Sequence, residues 1–332
     1  MIRTFRLLCV LLLGLTPVAS CRLPGGGAPA SSRPITLGFS AWPGWFPWQV
    51  AQEKGFFKRN GLNVDLRYYD NYTDSLTALT NGDIQANSQT LNDTLSSVTD
   101  GSRETIVLVN DNSTGNDQII ARPGIASVAG LKGKKVAAEE GTVDHYLLML
   151  ALKKAGLSAK DVTFEPLATD AAATALVSGK IDAVGVFAPF TTAALKLRGS
   201  RALTTSKDFP GAIPDHLVVS GAFLDQQPGS VQALVKTWFD TIAWISANRA
   251  EAVRIMAKRA GVSEAEYRTY DAGTTIFSLD DNLRAFTPGR TSAHLSYQAT
   301  ALSGFLLDNR LTQIKPTLDR LIDPRFVKAL RQ

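Results

Sequence analysis

Residues 35–84 read ITLGFSAWPGWFPWQVAQEKGFFKRNGLNVDLRYYDNYTDSLTALTNGDI. Two kinds of periodicity alternate within this stretch. Ile35 to Phe39 is a short apolar run, the pattern of a strand buried on both faces. Pro47 sits where proline favours the first turn of a helix, and Gly55 ends that helix. Phe56-Phe57 and Leu62 flank a turn at Asn60-Gly61. Val64, Leu66 and Tyr68 then alternate with Asp65 and Arg67, as in a half-exposed strand. Thr73 is the expected N-cap of a helix with Leu76 and Leu79 on one face and Asn81-Gly82 as its stop. Ile84 to Ala86 is a third strand. Short strands alternating with helices predict a mainly parallel sheet covered by helices.

The alternation continues with a helix around Asn92 to Val98 and a strand at Thr105 to Val109. It restarts after Arg122-Pro123-Gly124, with strands expected at Lys135–Ala138, Val162–Phe164, Ala183–Val186 and Ala202–Thr205. Helices fill the gaps, including Val143–Ala155 and Ala171–Leu176. From Val231 the chain turns helix-rich, and Val231, Leu234, Val235, Trp238, Ile242 and Ile245 keep helical spacing. The expected fold is therefore α/β in two lobes, each a mainly parallel sheet flanked by helices, with a helical C-terminal return. Residues 34–120 with 220–332 form the first lobe and 121–219 the second. Segments near Asp117–Ala121 and Leu217–Ser220 are the expected crossings.

The N-terminus carries Arg3 and Arg6 ahead of an apolar run from Leu7 to Leu15, then Val18-Ala19-Ser20-Cys21. A charged region, a short apolar region and small residues at a cleavage point make a secretory signal over residues 1–20. Cys21 directly after the small residues resembles the bacterial lipoprotein signal, which implies a lipid on its sulfur. Residues 21–33, rich in Gly, Pro, Ala and Ser, read as a flexible tether. The apolar run is far shorter than the ~20 residues that span a bilayer.

Composition excludes several classes. The formal net charge of +5 is spread along 332 residues without a basic run that could track phosphates, so no nucleic-acid partner is expected. The only cysteines are Cys9 and Cys21, which leaves the body without disulfide, iron–sulfur cluster or cysteine nucleophile. His145, His216 and His294 are widely spaced and suggest no metal site, and there is no P-loop or dinucleotide fingerprint. No cofactor is expected.

Several motifs resemble the solute-binding proteins of bacterial ABC importers, nearest the nitrate/sulfonate/taurine-type group. They are Trp45-Phe46-Pro47 with Ala51-Gln52-Glu53-Lys54-Gly55-Phe56-Phe57 and Gly61-Leu62-Asn63-Val64; Leu79-Thr80-Asn81-Gly82-Asp83-Ile84; Leu131-Lys132-Gly133-Lys134-Lys135-Val136-Ala137; and Val177-Ser178-Gly179-Lys180-Ile181-Asp182-Ala183-Val184. The family's aromatic-acid-proline trio is represented by Phe187-Ala188-Pro189, without the acid. Asn112 to Asp117 and Gly141 to Leu148 look like members linked to urea- or guanidine-type uptake. The resemblance implies a periplasmic-binding-protein fold, a small-molecule solute, a permease and ATPase as partners, a monomer, and a lipid-anchored place in the bacterial envelope facing the periplasm or exterior. It implies no enzyme. The alternatives are a cleft enzyme of the same architecture and an envelope sensor.

In α/β sheets ligands sit outside the carboxyl ends of strands. That rule selects Ser40, Trp42 and Trp45 after the first strand, Ser88 and Gln89 after the third, Asp111 after the fourth, and Gly141, Thr142 and Phe187 in the second lobe. The tryptophans offer flat walls for stacking, or core packing. Ser88 and Gln89 offer hydrogen bonds, or helix capping. Free N–H groups at Gly141-Thr142 suit an anion, whereas Glu139, Glu140, Asp144 and Asp111 favour a cation or neutral nitrogen compound. The residues leave the sign of the solute open.

Overall fold

The computed structural model describes residues 34–331. The signal over 1–20, the lipid site Cys21 and the whole tether lie outside the described residues. Eleven strands are present among them: β1 (Ile35–Ser40), β2 (Val64–Tyr69), β3 (Ala86–Thr90), β4 (Glu104–Ser113), β5 (Asp117–Ala121), β6 (Lys135–Ala138), β7 (Thr163–Pro166), β8 (Ala183–Phe187), β9 (Arg201–Thr205), β10 (Pro214–Ser220) and β11 (Thr274–Ile276). The first sheet has the order β11-β4-β10-β3-β1-β2 and the second β7-β6-β8-β5-β9. β1 runs parallel to β2 and β3, and β6 parallel to β7 and β8.

Most strands of each sheet point the same way, as the sequence predicts, but a reversed strand is threaded through each. β10 lies antiparallel between β3 and β4, and β5 antiparallel between β8 and β9. This corrects the expected crossings. Asp117–Ala121 is paired along its whole length within the second sheet, and Pro214–Ser220 within the first. The chain changes sheet just before each of them, around Thr114–Asn116 and within residues 206–213. A strand that exchanges backbone bonds with two neighbours cannot also serve as the crossing.

Three local boundaries differ from expectation. The helix Tyr72–Thr80 starts two residues earlier than a Thr73 cap allows, because the Asn71 side chain accepts from the Thr73 N–H at 2.9 Å. The third strand covers Ala86–Thr90 rather than Ile84–Ala86, and the fourth continues to Ser113. Both extensions are polar in sequence. They remain strand because β10 pairs with them and because their buried side chains find internal partners.

Trp48 anchors the first lobe. It is fully buried, stacks on Phe57 at 6.0 Å between ring centres, and meets Trp238 of the helix Pro228–Ala247 at 4.8 Å. Its Nε1 donates to Ser88 Oγ at 2.9 Å. One face of the second sheet has its own smaller core of Ile120, Val184, Val186, Ala172 and Leu176. The other face joins the main core through Leu147 and Leu152 of the helix Val143–Lys154.

Truncating a buried tryptophan leaves a large cavity and costs about 3–5 kcal/mol. Trp238→Ala is expected to lower the unfolding free energy by about that much in a denaturant titration with an unchanged slope. A loss under about 1 kcal/mol would show that the helix Pro228–Ala247 does not anchor this lobe.

Candidate functional site

The two sheets face each other at the carboxyl ends of their parallel strands. Four aromatic rings meet there in a closed circuit. Trp42 and Trp45 come from the loop after β1, Tyr72 from the start of the helix after β2, and Phe187 from the end of β8. Ring centres are 6.4 Å apart for Trp42–Trp45, 5.4 Å for Trp45–Tyr72, 6.4 Å for Tyr72–Phe187 and 6.3 Å for Phe187–Trp42. Three rings belong to the first lobe and one to the second. Between them lies a small space of about 10 Å³, room for about one water molecule, completed by Thr90, Asp117, Val143, Ile213 and Asp215.

Hydrogen bonds fix the walls. Trp42 Nε1 donates to Asp111 Oδ1 at 2.9 Å. The loop can lie on that carboxyl because residue 44 is glycine, where a Cβ would stand 1.9 Å from Asp111 Oδ2. The Tyr72 hydroxyl donates to Asp93 Oδ2 at 2.7 Å and accepts from the Thr90 N–H at 3.1 Å. The Trp45 N–H and Asp117 Oδ2 are buried without a partner.

The surroundings are acidic. Asp93, Asp111, Asp117, Asp144 and Asp215 are all buried, and no Lys or Arg side chain among the described residues lines the cavity. Burial is the first cause that raises each carboxyl. It lifts Asp93 to about 6, Asp111 and Asp117 to about 7, and Asp144 and Asp215 well above the ordinary range. The neighbouring negative charges add to the rise at Asp144 and Asp215. Asp111 and Asp215 occupy facing positions on β4 and β10. Like charges so placed cannot both ionise at low cost, and the charge of Asp111 adds to burial in raising Asp215.

The structure brings together Trp42, Trp45 and Phe187 from the expected set. Asp111 stands one layer behind, under Trp42. Ser40 faces an adjoining crevice with Asn71, Tyr72, Glu139 and Thr169. Ser88 and Gln89 lie within β3 rather than after it, turned into the first lobe. Ser88 Oγ accepts from Trp48 and donates to Asn110, and Gln89 Nε2 donates to Thr94 and Glu104. Gly141 and Thr142 sit at the lobe contact beside the cavity. The Gly141 carbonyl accepts from Asn92 Nδ2 at 2.9 Å, its N–H points to His145 Nδ1, and the Thr142 hydroxyl and N–H both donate to the Glu139 carbonyl.

Sequence reasoning passed over Tyr72, Asp117 and Asp215. Tyr72 follows β2 by three residues and satisfies the same carboxyl-end rule, but a Thr73 cap put it outside the helix. Asp117 and Asp215 open the two reversed strands, whose amino ends are the ones at the seam. His145 stacks on Phe164 at 4.3 Å, and burial lowers it to about 4. His216 is fully buried and lowered to about 3.

These shifts fix a pH dependence. A carboxyl with a higher pKa in the fold than in the unfolded chain stabilises the fold most below its ordinary value, and that stability is lost as pH rises through the folded value. The two histidines act oppositely, but only below their ordinary ~6.5. From about pH 6.5 to 8 the acids therefore act alone. The ligand-free protein is expected to melt at falling temperature across that window, and Asp215→Asn to flatten the fall. A melting temperature that rises from 6.5 to 8 in ~0.15 M salt would contradict the assignment.

The model of the NMT1-like family matches residues 28–261. A protein of Brucella abortus named as a binding protein is 27% identical over 276 residues, covering 81% of this chain and 85% of its own length. The taurine-binding periplasmic protein of Escherichia coli is 26% identical over 242 residues, covering 70% and 75%. Among solved structures, the alkanesulfonate-binding protein SsuA of Xanthomonas axonopodis pv. citri bound to MOPS superposes with a TM-score of 0.75 at 19% identity, over 90% of this chain and 100% of that one. The desulfurization enzyme DSZB superposes with a TM-score of 0.63 at 19% identity, over 89% and 98%. The fold is thus the two-lobed periplasmic-binding-protein fold, and it is shared by binders and an enzyme alike. With its family model matched across both sheets, from ahead of β1 to the end of the helix Arg249–Ala260, the chain belongs to the NMT1-like family.

Proposed function

We propose that this protein is the extracytoplasmic solute-binding component of an ABC importer, and that it captures a small solute in the cavity between its two lobes. One observation carries the reading: rings from both lobes close a single small space at the carboxyl ends of both sheets. The lobes are the units that move, and the segments around residues 114–116 and 206–213 are the hinges. Closure draws Phe187 onto the three rings of the first lobe. It also makes the bonds that join the lobes, from Thr73 to Glu139 and from Asn92 to Gly141.

The solute is a small nitrogen- or sulfur-containing compound, in keeping with the relatives named for sulfonates and taurine. The protein makes and breaks no bond in it. A permease and its ATPase receive the solute. The lipid at Cys21 holds the monomer to a membrane of the bacterial envelope, facing the periplasm or exterior.

The test is a thermal-shift screen of the protein with nitrate, alkylsulfonates, taurine, urea, guanidine and pyrimidine precursors. A ligand at 100 times its Kd should add about 2.7 kcal/mol of stability, compact the scattering profile, and be recovered unchanged. Phe187→Ala is expected to weaken its binding about tenfold, equal to about 1.4 kcal/mol, without changing the circular dichroism spectrum. A ligand consumed on incubation would replace the receptor with an enzyme, and scattering unmoved by every compound would leave no receptor at all.

A further inference from the structure

We propose that the solute is an organic cation carrying N–H groups, held inside the ring circuit of Trp42, Trp45, Tyr72 and Phe187 against the carboxylate of Asp117. The inference rests on the receptor reading and names the class of solute.

Aromatic faces are negative at their centres and attract cations, most strongly when water is excluded. Here four of them surround one space, and all four residues are at most 5% exposed. Asp117 lines that space on the register position facing Phe187. It is 1% exposed, and its Oδ2 has no hydrogen-bond partner. A buried acceptor left without a donor is costly, and a solute N–H is the group that would satisfy it. Asp215, also in the wall, has a buried Oδ2 without a partner as well, but it faces the second carboxyl of Asp111 across the strand pair.

An anion finds the unpartnered Trp45 N–H in the wall but no charged partner. Among the described residues no Lys or Arg lines the cavity or the adjoining crevice. The amide groups of Gly141 and Thr142, at the helix start nearest the cavity, are directed to His145 and Glu139. Where Asp117 is ionised, its carboxylate repels a sulfonate or nitrate. A metal ion does not fit either, since no group of three or more His, Cys, Asp or Glu among the described residues is arranged to hold one. A quaternary ammonium would suit the rings but would leave Asp117 Oδ2 unsatisfied.

The experiment is a tryptophan-fluorescence and calorimetric titration of the full chain in detergent. The probes are methylguanidinium, benzamidinium, tetramethylammonium, methanesulfonate and nitrate. At least one of the first two should saturate one site, tetramethylammonium should bind at least tenfold more weakly, and the anions should not compete. Asp117→Asn should weaken the N–H cation at least tenfold while melting no lower than the parent. Tetramethylammonium binding as tightly as the amidinium overturns the N–H requirement, and an Asp117→Asn protein of unchanged affinity overturns the contact. Binding of methanesulfonate or nitrate alone overturns the cation while leaving the receptor intact. Silence from all five probes overturns the cation as well, and the wider screen with scattering then decides the receptor separately.

Discussion

Each sheet contains one interior strand that runs against both of its neighbours, and the site depends on where those two strands begin. β5 and β10 enter their sheets at the edge where the parallel strands leave. Their first residues are therefore brought to the seam along with the last residues of β3 and β8. Two acids, Asp117 and Asp215, arrive by this route. Aromatic residues arrive by the other, from the turns that follow β1, β2 and β8. Neither set alone makes a pocket. The reversed strands bring charge to a place that the forward strands line with rings.

That placement has an electrostatic cost that shapes the rest of the seam. Asp93, Asp111 and Asp144 stand close behind the first two acids without a basic partner, and burial first, then the neighbouring carboxylates, raise all of them. The chain answers with hydrogen bonds from neutral groups: Trp42 to Asp111, and Tyr72, Thr90 and Asn92 to Asp93. These bonds also fix Trp42 and Tyr72 in the positions the ring circuit needs. The polar layer and the aromatic wall are thus one construction, and Gly44 belongs to it because no side chain fits over Asp111.

Much of the fold is legible in the sequence because hydrophobic period and turn chemistry agree there. Pro47, Gly55 and Gly82 punctuate as expected, and the apolar spacing from Val231 to Ile245 is a helix over Pro228–Ala247. Legibility fails where polar residues are buried. Asn87 to Thr90 and Asn110 to Ser113 look like loops but are strands, because their partners come from β10, which is more than a hundred residues away in sequence. The site follows the same division. Trp42, Trp45 and Phe187 follow from the carboxyl-end rule. Asp117 and Asp215 do not, since only the direction of their strands puts them at the seam, and direction is not written in local sequence.

The unequal split of the four rings, three against one, gives the two halves different kinetic roles. On the proposed reading a solute would first meet the three-sided niche of the larger half, where Trp42 and Tyr72 are held by bonds within that half. Phe187 arrives afterwards, as the fourth side. On that reading the niche would set the speed of capture, while Phe187 and Asp117, both of the second lobe, would set the residence time.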